Sequence, residues 1–211
     1  MSKVEQFFDN YANDFDAIYG TNQSLINQLL NPILRKSMRT RYEKTLAYCQ
    51  PMEGKTALDI GCGPGHYSIA LAKNGAKKII GIDFSKEMIK IAKANASLSQ
   101  VSEKCQFIVE DVYNYSSDKF NYSIVMGVMD YIRDTEKMVE KVISLTKEKA
   151  FFSFPNSKGL LAIQRRIRYI KRCPLYMYNR KQLTTLFDKF SPHEYKIEKI
   201  SRDYFVSLSI K

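Results

Sequence analysis

ALDIGCGPGHYSIALAKNGAKKIIGIDFS, residues 57–85, holds two short apolar runs that each close on an aspartate, Asp59 and Asp83. Between them Gly61, Gly63 and Gly65 alternate with Cys62 and Pro64, followed by HYSIALAKNG, a helix-length stretch that Gly75 would end. Glycines gather like this where a backbone turns sharply or lets another group approach closely. The order predicts a strand, a glycine turn, a helix and a second strand, the opening of a parallel sheet.

The same rhythm continues outward. SKEMIKIAKANA predicts a helix with Ser85 as its N-cap and Glu87 in its first turn. CQFIVED and NYSIVMG read as third and fourth strands, DTEKMVEKVISLT as a helix, and AFFSFP as a fifth strand stopped by Pro155. NRKQLTTLFDKF is the last helix, and HEYKIEKIS with DYFVSLSI suits a closing antiparallel pair. Apolar strands alternating with helices imply a sheet covered on both faces. The expected fold class is α/β, a Rossmann-like three-layer αβα sandwich on a mixed, mostly parallel seven-stranded sheet with its last strand antiparallel.

The 211 residues suit one domain. Within it, 1–50 reads as a helical N-terminal lid, 55–155 as the core, 156–178 as an insertion, and 179–211 as the final helix and hairpin. The insertion, NSKGLLAIQRRIRYIKRCPLYMY, places Leu160, Ile163, Ile167 and Ile170 on one helical face, with Arg165, Arg166, Arg168 and Arg172 largely elsewhere. No Asp or Glu occurs between Glu148 and Asp188. It reads as a basic amphipathic piece, serving either as a solvated face or as a substrate cap.

Lys and Arg number 33 against 22 Asp and Glu, a net charge of +11, which favours acidic or phosphate-bearing partners. The four cysteines form no C-x-x-C pair and share no metal-ligand spacing with the two histidines, so a reduced, cytoplasmic setting and no metal site are expected. The polar start MSKVEQFFDNYANDFD is unlike a signal peptide, and no apolar run approaches the ~20 residues of a membrane span.

A dinucleotide-binding G-x-G-x-x-G turn would need its third glycine where His66 stands. The spacing here is G-x-G-x-G, and LDIGCGPG resembles motif I of class I S-adenosylmethionine-dependent methyltransferases. Three further segments in the expected order strengthen that resemblance: Asp83 closing the second strand, Asp111 and Val112 in EDV, and FNYSIVMGVMDYI with Met126 and Gly127. It covers roughly residues 55–155.

The resemblance implies S-adenosyl-L-methionine as cofactor, held by Asp59, Gly61, Cys62, Gly63 and Gly65. It also implies Asp83 on the ribose hydroxyls, Asp111 and Val112 at the adenine edge, Phe84 and Met88 on its faces, and Met126 and Gly127 beside the transferred methyl. The aromatic stretch FFDNYANDFDAIY would be the lid, with Tyr11 and Tyr19 facing the sulfonium and Arg41 or Arg39 at the carboxylate. The candidates for orienting or deprotonating an acceptor are His66, Asp130 and Tyr131. Singly, each has a plainer use: Asp83 and Asp130 as turn residues, Asp111 as a strand terminator, His66 packed at a helix start.

The expected reaction is methyl transfer to a small, anionic metabolite, favouring an oxygen. Methylation of RNA is the alternative within enzymes, although no nucleic-acid-binding motif stands beside the core. The alternative outside them is a non-catalytic protein of this fold that contacts a membrane surface.

Overall fold

Ala57 to Ile60 are buried throughout β1 (Thr56–Ile60), as expected of a strand covered on both sides. The computed structural model describes residues 32–169 and 173–211. Six further strands follow: β2 (Lys78–Asp83), β3 (Cys105–Val109), β4 (Phe120–Val125), β5 (Thr146–Pro155), β6 (Glu194–Ile200) and β7 (Asp203–Ser209). They form one sheet in the order β3-β2-β1-β4-β5-β7-β6. β1 to β5 pair parallel, and β7 runs antiparallel to both its neighbours, which completes the expected mixed sheet.

Six helices are described: α1 (Pro32–Tyr48), α2 (His66–Lys73), α3 (Lys86–Leu98), α4 (Thr135–Ser144), α5 (Leu160–Tyr169) and α6 (Arg180–Asp188). Pro32 opens α1, where its missing N–H costs nothing. Ser85 caps α3 by accepting from Met88 N, and Asn179 and Gln182 close a reciprocal capping box on α6. Tyr42, Leu46, Leu71 and Ala92, from α1, α2 and α3, pack on one sheet face around Ile79, Ile124 and Phe151. Met138, Val142, Leu183 and Phe187, from α4 and α6, pack on the other around Ile80, Phe152 and Val206.

Two features depart from the sequence reading. β5 begins at Thr146, four residues before Ala150, because its polar start still pairs with β4. The amphipathic helix α5 forms, but inverted. Leu160, Ile163 and Ile167 are 83%, 56% and 69% exposed, while Ala162 is buried and Arg165 turns inward to two buried aspartates. Ile170 and Arg172, with the N-terminal stretch that carries Tyr11 and Tyr19, lie outside the described residues.

Candidate active site

The carboxyl ends of β1, β2, β3 and β4 open into one hollow of about 380 Å³, in the usual size range for a small-molecule site. Such a crevice forms where neighbouring parallel strands send their connections to opposite faces, here between β1 and β4.

The loop after β1 is its floor. Gly61 N and Cys62 N both donate to Ile82 O, at 2.8 and 3.0 Å, which folds the loop back over the end of β2. Gly61 needs to be glycine: its φ is +65°, and a Cβ there would lie 2.4 Å from Val128 Cγ2. Gly63 N donates to Asp83 Oδ2 at 3.0 Å and Ser85 N to Asp83 Oδ1 at 2.9 Å. Two backbone donors thus fix the plane of the Asp83 carboxylate at the pocket wall.

Asp59 stands beneath this floor rather than in it. Its Oδ2 accepts from Ser68 N at 3.2 Å and Ser68 Oγ at 2.7 Å, tying β1 to α2. Burial pushes its carboxyl up to about 7 despite those bonds, and nearby Asp83 adds to the rise. Burial, with Asp59 and Asp83 beside it, also raises the Cys62 thiol well above its ordinary range, so Cys62 is a neutral lining group. Gly65, the N-cap of α2, faces Phe107 and Ala92 and does not line the hollow.

Asp111, Val112, Phe84 and Met88 line the far wall. Asp111 Oδ1 accepts from Tyr113 N at 2.9 Å, a turn that holds the carboxylate at the end of β3. On the near wall Met126 and Gly127 follow β4, and Gly127 N donates to Ser153 Oγ at 2.8 Å. Ser153 Oγ also accepts from Arg41 Nη1 at 3.1 Å, so α1 carries a guanidinium to the pocket's edge. Arg39, by contrast, is exposed and pairs with Glu43.

His66 and Tyr131 line the same hollow. Asp130 does not: it is 2% exposed, with its carboxylate on Arg165 of α5. Asp203 lies next to it, accepting from Arg165 Nη1 at 2.8 Å and from Ser37 Oγ at 2.6 Å, with Arg41 Nη1 3.9 Å away. Burial would raise Asp203, but the two guanidinium groups hold it below the usual carboxylate range. For Asp130 burial prevails and its carboxyl sits above that range.

Sequence reasoning missed Asp203, Ser37, Ser153 and the inward role of Arg165. It also missed Glu110, Tyr113, Val128 and Ile132 in the lining. Glu110 and Tyr113 were legible as neighbours of Asp111 and Val112, and Val128 and Ile132 lie within the FNYSIVMGVMDYI segment; Asp203, Ser37 and Ser153 carry no local signal.

A methyltransferase domain model matches residues 51–188. The chain belongs to the S-adenosylmethionine-dependent methyltransferases. It is 31% identical over 132 residues to a ubiquinone biosynthesis O-methyltransferase of Coxiella burnetii, a match covering 61% of this chain and 52% of that protein. The chain therefore spans about half the length of that curated relative. A Methanocaldococcus jannaschii protein, provisionally named a protein N5-glutamine methyltransferase, is 31% identical over 155 residues, 70% of this chain and 74% of its own. The crystal structure of magnesium protoporphyrin IX methyltransferase from Synechocystis PCC 6803, with bound SAH, superposes with a TM-score of 0.78 at 19% identity, over 99% of this chain and 98% of that one. That likeness establishes the methyltransferase fold. Among the described residues no helix is long and apolar enough to cross a membrane.

Proposed function

We propose that this methyltransferase acts on a small, acidic metabolite, with an oxygen as the methyl acceptor. One observation carries the reading: Gly61, Asp83, Asp111, Gly127 and Arg41, from five separate segments of the chain, line a single hollow at the carboxyl edge of the sheet. These groups fit the family's cofactor. Asp83, locked in plane by two N–H groups, would take the paired ribose hydroxyls, since a carboxylate accepts at both oxygens. Asp111 and the Val112 backbone would meet the adenine edge, with Phe84 and Met88 against its faces. The planar Arg41 guanidinium suits a carboxylate.

When bound, the cofactor supplies a methyl group made electrophilic by its positively charged sulfur. The chain's own task is placement: holding the acceptor oxygen in line and about 3–3.5 Å from the reacting carbon. His66 and Tyr131 are the pocket groups able to orient an acceptor hydroxyl or accept its proton. Asp130 works through Arg165, not on the substrate. The net charge of +11 favours an acidic acceptor. GVMD after β4, in place of an N-P-P-Y type motif, favours oxygen over nitrogen.

Calorimetry with S-adenosylhomocysteine tests the site. Binding by the intact protein, weakened about tenfold or more in Asp83→Ala without loss of folding, is expected, since Asp83→Ala removes a charge-assisted pair of bonds. No heat of association by the folded protein would refute it. Radiolabel transfer to carboxylated or phosphorylated metabolites tests the acceptor, and label found only in RNA or protein would overturn that half.

A further inference from the structure

We propose that the outer face of α5 docks this protein on an anionic lipid surface, a property independent of the cofactor reading. An amphipathic helix on a folded domain ordinarily turns its apolar stripe to the core. Here α5 does the reverse. Arg165 anchors it from below through the buried carboxylates of Asp130 and Asp203, and Ala162 packs beneath it. Leu160, Ile163 and Ile167, spaced to share one face, project outward. Exposed large aliphatics are few among the described residues, and three of them stand on this one helix.

Charge identifies the occupant. Lys158 precedes α5, and Arg166 is exposed beside the stripe. Under the start of the helix a hollow of about 250 Å³ is lined by Lys158, Lys199, Ser201 and Arg202, room enough for a phosphate headgroup. No acidic residue interrupts the sequence from 149 to 187. A short apolar ridge flanked by basic groups is the pattern of helices that lie in a lipid–water interface, with aliphatics in the acyl boundary and cations among the phosphates. An acidic protein partner would account for the cations but not for three aliphatics presented on one exposed helix face.

Co-sedimentation of the full chain with vesicles provides the test. Binding is expected to phosphatidylcholine vesicles containing phosphatidylglycerol, falling as salt rises, and to be at least about tenfold weaker to phosphatidylcholine alone. Ile163→Ser/Ile167→Ser, which leaves every charge in place, should weaken partitioning by about tenfold. Lys199→Glu/Arg202→Glu should weaken it similarly, whereas Lys90→Glu/Lys93→Glu, on the remote exposed face of α3, should not. An unchanged circular dichroism spectrum and a cooperative thermal transition report that each variant is folded. The proposal is overturned if anionic vesicles fail to bind the full chain, or if the serine variant binds them unchanged. It is equally overturned if the two charge-reversed pairs lose binding alike, or if the serine variant abolishes a lipid-free dimer instead of vesicle binding.

Discussion

Arg165 of α5 donates to the buried carboxylate of Asp130 on the turn that follows β4, 35 positions earlier in the chain. Through its other terminal nitrogen it reaches Asp203, and Asp203 in turn reaches Ser37 and Arg41 of α1. One buried cluster of two arginines and two aspartates therefore joins α5, α1 and the strand ends around the pocket. Tyr176 N also donates to Asp130 O at 2.7 Å, so the chain that follows α5 is tied to the same turn.

Arg165→Met should cost roughly 3–5 kcal/mol at neutral pH, because it strands a buried carboxylate. The pH dependence gives a second check. Burial already raises Asp130, and without the guanidinium it would rise further. A carboxyl whose folded value lies above its unfolded value destabilises progressively as pH rises from about 4. The deficit measured by urea denaturation should thus be smaller at pH 5 than at pH 7.5. A deficit below about 1 kcal/mol, equal at both, would mean the pair is solvated.

Gly61→Ala and Gly127→Ala separate strain from collision. Both glycines have positive φ, +65° and +78°, and each substitution carries the left-handed penalty of about 1–2 kcal/mol. A Cβ on Gly127 meets nothing nearer than Arg41 Nη1 at 4.0 Å, whereas one on Gly61 runs into the β-branched Val128 at 2.4 Å. Val128 lines the pocket, so Gly61→Ala must displace a wall as well as strain a turn. Its stability loss should exceed that of Gly127→Ala by about 1 kcal/mol or more, with weaker binding of S-adenosylhomocysteine. Equal losses would show that Val128 swings aside without cost.

Asp59 gives a pH signature of opposite origin to the usual carboxylate. Its folded value of about 7 lies above the unfolded value near 4, so its contribution is fully present below about pH 4 and is lost as pH rises toward 7. Asn in its place still offers an oxygen to Ser68 N–H and O–H but cannot ionise. Relative to the native chain, Asp59→Asn should therefore gain stability between pH 4.5 and 7.5, by up to about 4 kcal/mol. A difference independent of pH would place the Asp59 titration outside that window.

Most of the fold was legible because it is written locally. Each buried strand is a short apolar run, Ser85 and Gly75 punctuate their helices, and the glycine spacing marks the loop. Asp83 and Asp111 were legible for the same reason, as acidic residues closing strands. The orientation of α5 was not. Its 3.6-residue pattern assigns the aliphatic face inward, and only the fold brings Asp130 and Asp203 beneath Arg165 and reverses that preference. Asp59 was placed in the cofactor site by its motif, yet its carboxylate accepts from the N–H and hydroxyl of Ser68, contacts between β1 and α2 that spacing alone does not reveal.

Arg41 offers the sharpest dissection of the cofactor site, because two roles converge on one guanidinium. Nη1 donates to Ser153 Oγ and lies 3.9 Å from Asp203, a structural load, while the same side chain borders the hollow. Arg41→Lys keeps the charge but removes the planar fork that suits a carboxylate. If Arg41 holds the amino-acid end of the ligand, the lysine variant should bind S-adenosylhomocysteine about tenfold or more weakly. It should bind 5′-methylthioadenosine, which lacks the carboxylate, as the native chain does. A loss common to both ligands would instead locate the damage in the Ser153–Gly127 contact and the strand ends it braces, and would remove Arg41 from direct recognition.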